Sequence, residues 1–142
     1  MTRRLVIDAS VAIKWLLPEE GSELALSILE QGFSLAAPDL IVSEIGNVLW
    51  KKSRTGQISP QASLRLLAEF QSLSMRIISS VQIATIALGI AQRCERSYYD
   101  SLYLALAETL EAPLITADQK FRNALQGTPY QDRVIPLGTV FT

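Results

Sequence analysis

The sequence contains no histidine and only one cysteine, Cys94. The first absence removes nucleophilic triads that use an imidazole base, paired-histidine ribonuclease chemistry and most zinc sites. The second removes cysteine-ligated zinc clusters, CxxC redox pairs and any internal disulfide, and it fits a chain that works in the reducing cytoplasm. Glycine is sparse as well: the seven glycines fall into no dinucleotide-binding, phosphate-loop or nucleophile-elbow spacing. No apolar run approaches the roughly eighteen residues of a membrane span. The N-terminal run Leu5-Val6-Ile7 stops at Asp8, too short for a secretion signal. The net charge is −1, so no global basic signature marks a nucleic-acid binder. What remains available for catalysis is carboxylate, lysine, hydroxyl, or a metal held by oxygen.

The 142 residues, 49% of them apolar and 19% charged, have ordinary globular composition and predict one domain over 1–142. Short apolar segments alternate with helical patterns. Leu5-Val6-Ile7 reads as a strand ending in Asp8, and Ser10 opens a helix that Pro18 closes. A second helix fits 21–31 and a strand 33–37. Residues 38–54 read as a longer helix, with Pro38 near its start and Gly56 as a stop signal. Ser59-Pro60 opens the next helix as N-cap and first helical residue, and Leu64, Leu67 and Phe70 give it an apolar face. A strand at 76–79, helices at 81–95 and 99–111, a strand at 113–116, a short helix after Asp118 and a strand at 134–137 complete the pattern. Strands separated by helices predict an α/β chain whose parallel sheet is covered on both faces.

The acids fall at telling places. Asp8 and Asp118 each end a strand, and ligand sites in open parallel sheets lie beyond the carboxyl ends of the strands. Asp100 stands at the start of a helix whose residues 102–107 are apolar on all sides, as in a deeply buried helix. On a helical wheel Glu44 lies at the edge of the arc formed by Ile41, Val42, Ile45, Val48 and Leu49. An aspartate before a helix is also a favoured N-cap, and that role is compatible with holding a metal. Four converging carboxylates would raise one another's pKa, and a hard divalent cation relieves that repulsion.

Four blocks carry a family resemblance: VIDASVAIKW at 6–15, SEIGNVLW at 43–50, YYDSLYLALAE at 98–108 and LITADQKF at 114–121. In order and spacing they resemble the PIN-domain family, closest to VapC-type toxins of toxin–antitoxin pairs. The resemblance implies a three-layer α/β/α fold around a mostly parallel sheet of about five strands. It implies a ribonuclease that uses Mg²⁺, with Mn²⁺ as a substitute, held by Asp8, Glu44, Asp100 and Asp118. Ser10, Asn47 and Thr116 match supporting polar positions. It also implies a homodimer and a cognate VapB-type antitoxin.

Setting four metal-bound acids aside changes a net charge of −1 to +3, and basic residues follow or precede each acid. Lys14, Arg96, Lys120 and Arg122 are candidates for contact with RNA phosphates. Tyr98 and Tyr99 read as packing residues, with stacking on an RNA base as the alternative. Trp50 lies with Ser43, Gly46 and Ser53 opposite the apolar arc of its helix, a face for the helix at 59–73 or for a protein partner. Two other phosphoryl-transfer folds fit poorly. A haloacid-dehalogenase site needs an aspartate where Ser10 stands. A receiver domain needs an aspartate where the third strand ends in Ser79-Ser80, and a lysine beyond residue 120. An RNA-processing nuclease without an antitoxin and a module acting with its partner on operator DNA remain as alternatives.

Overall fold

The computed structural model describes residues 2–141; Met1 and Thr142, both inside the expected domain span, lie outside the described residues. The elements run β1 (Arg4–Ile7), α1 (Ala9–Leu16), α2 (Ser22–Glu30), β2 (Ser34–Pro38), α3 (Leu40–Arg54), α4 (Pro60–Gln71), β3 (Met75–Ile78), α5 (Ser80–Cys94), α6 (Tyr98–Leu110), β4 (Leu114–Thr116), α7 (Gln119–Ala124) and β5 (Val134–Pro136). The strands form one sheet in the order β3-β2-β1-β4-β5, and every pairing is parallel.

That order follows from the apolar runs. Leu5, Val6 and Ile7 are fully buried, as are Leu114 and Ile115, because helices cover both faces of the middle strands. From β1 the chain steps outward through β2 to β3, then crosses back to β4 and outward again to β5. Right-handed crossovers set α1–α4 on one face and α5–α7 on the other, which gives three layers. Helix α6 packs across β1, β2 and β4 with α5 beside it. Its residues 101–107 are all buried, which explains why its sequence has no polar face. β1 and β4 lie side by side, yet their connections leave in opposite directions. A crevice opens at such a switch point.

Three local expectations are corrected. Pro38 is not helical: it ends β2 opposite Ile78, and α3 starts at Leu40. A proline is tolerated there because the next donor, Asp39 N–H, resumes the ladder to the Ile78 carbonyl at 2.8 Å. Leu64 does not face the core but is 71% exposed, and Leu66 is buried with Phe70 instead. Asp100 does not cap α6. Ser97 does, accepting from the Asp100 N–H at 3.0 Å, so Asp100 is the third helical residue.

Candidate active site

Asp8 is the best-anchored acid. It directly follows β1, its N–H donates to the Ile115 carbonyl at 3.3 Å, and its Oδ1 caps α1 by accepting from the Val11 N–H at 3.2 Å. Two hydroxyls complete the clamp. Ser10 Oγ donates to Oδ1 at 2.5 Å, and Thr116 Oγ1 donates to Oδ2. Each hydroxyl then accepts from the β4–α7 turn: Ser10 from the Ala117 N–H at 2.9 Å, Thr116 from the Asp118 N–H at 3.0 Å. A hydroxyl has one proton, and both are spent on Asp8, so the 3.3 Å approach of the two hydroxyl oxygens adds contact rather than another bond. Burial nonetheless pushes the Asp8 carboxyl up to about 6, the hydroxyl and Val11 bonds opposing it and the negative charge of Glu44 adding to it.

The other three acids arrive from separate elements. Glu44 is half-buried on α3 and accepts from the Tyr103 hydroxyl at 2.5 Å. Burial raises its pKa, the Tyr103 bond lowers it and the charge of Asp100 raises it again. Asp100 is raised by burial, lowered by Arg96 and Ser97, and raised by Asp118. Asp118 caps α7 through the Phe121 N–H at 3.1 Å and is exposed. Asp8, Glu44, Asp100 and Asp118 line one pocket of about 170 Å³, together with Ser10 and Tyr103. Tyr103 escaped the sequence reading. The available signal was a hydroxyl three residues after Asp100 in a run otherwise buried and almost wholly apolar. Burial and the neighbouring Glu44 raise its pKa far above the usual tyrosine range, so it stays a donor.

This donor set fits a hard divalent cation. It is all oxygen, and three of its four acids carry pKa values raised in part by another acid of the set. Among the described residues no three of the acids already stand at the spacing that grips a single ion. The fit therefore lies in donor chemistry and shared charge, not in a closed ligand shell.

The remaining sequence candidates divide. Thr116 and Ser10 sit on Asp8, as above. Asn47 is exposed and makes no hydrogen bond to the acids among the described residues; three residues of helix carry it about 60° round from Glu44 and out of the pocket. Lys14 Nζ meets Glu19 at 3.2 Å and the Glu20 carbonyl at 2.6 Å, tying the end of α1 to the following loop. Arg96 lies 3.9 Å from Asp100, and its Nε is buried without a partner. Lys120 is exposed. Arg122 lines a separate cavity beside β5 rather than the carboxylate pocket. Tyr98 packs on the core, whereas Tyr99 is 63% exposed. Helix α4 meets the Trp50 face without covering it, and Trp50 stays 55% exposed in a groove with Leu64, its ring under the Arg54 guanidinium at 4.8 Å.

A PIN domain family model matches residues 5–124. Ribonuclease VapC3 of Pyrobaculum aerophilum is 31% identical over 119 residues, which span 82% of this chain and 91% of that protein. A crystal structure of a Pyrobaculum aerophilum protein matches with a TM-score of 0.70 at 23% identity, covering 96% of this chain and 85% of the other. A VapBC2 structure from Rickettsia felis, bound to DNA from its promoter, matches at 0.66 and 16% identity, covering 94% and 96%.

Proposed function

Because the chain belongs to the PIN-domain family, we propose that it is a metal-dependent endoribonuclease, the toxin of a type II toxin–antitoxin pair. The observation that carries the reading is the convergence of four carboxylates from four elements on one pocket at the switch point of the sheet. Asp8, Glu44, Asp100 and Asp118 are the residues that would hold Mg²⁺ or Mn²⁺. When bound, such an ion lowers the pKa of a coordinated water and neutralises charge on a scissile phosphate.

The chain's own groups do the rest. Ser10 and Thr116 fix both oxygens of Asp8, so its remaining lone pairs keep one direction. Tyr103 holds one oxygen of Glu44, Oε1, in the same way. Asp118, the exposed acid, stands where it can accept the proton that the attacking water gives up. Arg96 offsets the charge of Asp100 while no cation is bound, and with Lys120 supplies positive charge for the RNA backbone. The exposed Trp50–Leu64 groove, the exposed Ile77 on β3 and the exposed Val81 at the start of α5 supply apolar surface for an antitoxin and a second copy.

Calorimetric titration of Mn²⁺ into the antitoxin-free protein tests the site. Saturable binding that both Asp8→Asn and Asp100→Asn lose supports it. A folded wild-type protein that takes up no Mn²⁺, with or without RNA, refutes it.

A further inference from the structure

A second cavity, of about 260 Å³, opens beside the carboxylate pocket, with α7 between them. Asp118 and Phe121 face the acids; Arg122, Asn123 and Gln126 line the second cavity with Gln131, Asp132 and the three residues of β5. Its volume lies just below the range of about 300–1,000 Å³ for drug-sized ligands, so it suits a single flat group.

Its polar groups are unevenly satisfied. Arg122 Nε is buried with no hydrogen-bond partner, an expensive state for a charged donor. Gln131 accepts from the Gly127 N–H at 2.8 Å, and because a backbone N–H can only donate, this fixes the amide with its NH₂ free. Asp132 has no ion pair or side-chain hydrogen bond among the described residues. The buried Nε is closed to a ligand, but the terminal nitrogens of Arg122, which make no hydrogen bond or ion pair among the described residues, together with the Gln131 NH₂ offer the cavity unused donors, and Asp132 offers one unused carboxylate. Guanine presents the complement: O6 and N7 accept, while its N1–H and 2-amino group form adjacent donors. No other RNA base offers two adjacent donors to one carboxylate.

The geometry points to this cavity as a guanine-reading pocket that seats an unpaired guanosine of the RNA next to the carboxylate site. This rests on the ribonuclease reading for its substrate, although the pocket's chemistry stands on its own residues. The two pockets are separated by about one helix width, roughly 10 Å, so one strand of RNA can reach both.

The test is an NMR titration of the metal-free protein with GMP, AMP, CMP and UMP, following the side-chain amides of Asn123, Gln126 and Gln131. GMP is expected to move them at a concentration roughly tenfold below the other three nucleotides, and Asp132→Asn to erase that preference. Equal responses to all four, no response, or a guanine preference that survives Asp132→Asn overturns the proposal. Mn²⁺ added to a second sample reads the carboxylate pocket separately through paramagnetic broadening. If Mn²⁺ broadens nothing there while GMP still binds selectively, the nuclease reading fails and the pocket stands. If Mn²⁺ binds and GMP does not, the pocket fails alone.

Discussion

Asp8 and Asp39 directly follow the neighbouring strands β1 and β2, and locally they are near twins. Each precedes a helix, each donates its N–H to a carbonyl of an adjacent strand, and each accepts a serine hydroxyl, from Ser10 or from Ser80. Their surroundings differ. Ser80 opens α5, and its hydroxyl on Asp39 ties the end of β2 to the start of the helix that follows β3. Around Asp8, α3, α6 and the β4–α7 turn bring three more carboxylates to a shared pocket. An aspartate at the end of a strand is thus a structural joint by default. It becomes a reactive site only when distant elements deliver like charges beside it.

Four substitutions break or sharpen this contrast. The largest effect is on catalysis: Asp8→Asn should lower metal-dependent RNA cleavage by about 10³-fold or more with the fold intact by circular dichroism. Asp39→Asn should stay within about twofold of wild type in the same assay while losing about 1 kcal/mol of unfolding free energy. Comparable losses of activity from the two would erase the distinction.

The second effect is on stability and has the opposite sign. Folded Asp8 holds its proton to about pH 6 and an unfolded aspartate releases it near 3.8. Between those values the native state binds more protons, so stability of the metal-free protein falls as pH rises through that window and stays lower above it. Asp8→Asn removes this cost and should raise stability at pH 7 by up to about 3 kcal/mol, read by urea denaturation in a chelator. A less stable variant at pH 7 would mean the burial of Asp8 costs nothing.

Smaller effects concern the groups that orient the acids. Tyr103→Phe removes the hydroxyl on Glu44 and should weaken Mn²⁺ binding about 10-fold with little loss of stability, and equal affinity would demote Tyr103 to packing. The smallest concerns Lys14. Because it is committed to Glu19 and Glu20, Lys14→Met should cost no more than about 1 kcal/mol of stability and leave the salt dependence of RNA binding unchanged. A flatter salt slope would return Lys14 to the RNA footprint.

The parallel α/β order was legible because short apolar runs and helical periods alternate along the chain; Asp8, Asp100 and Asp118 stood out at strand and helix ends, and Glu44 at the edge of an apolar arc. What the sequence did not show shares a cause. Pro38, Asn47 and Lys14 were placed by their own element, but each has its surroundings set elsewhere: β3 pairs with Pro38, Asn47 is exposed and does not line the carboxylate pocket, and Glu19 and Glu20 beyond α1 hold the Lys14 ammonium. Tyr103 was hidden for the same reason, since its partner Glu44 lies 59 residues earlier. Periodicity tells which side of a helix is buried. It does not tell which side chain meets it there.

The clamp on Asp8 also sets an order of events during synthesis. Asp8, Glu44 and Asp100 leave the ribosome before Thr116 and Asp118, and β1 gains its β4 neighbour only when 114–116 have emerged. A nascent chain stopped short of that point carries three of the acids yet lacks both the hydroxyl that locks Asp8 and the fourth carboxylate. An activity able to cut RNA is thereby withheld from its own unfinished chain until nearly the whole fold has been made.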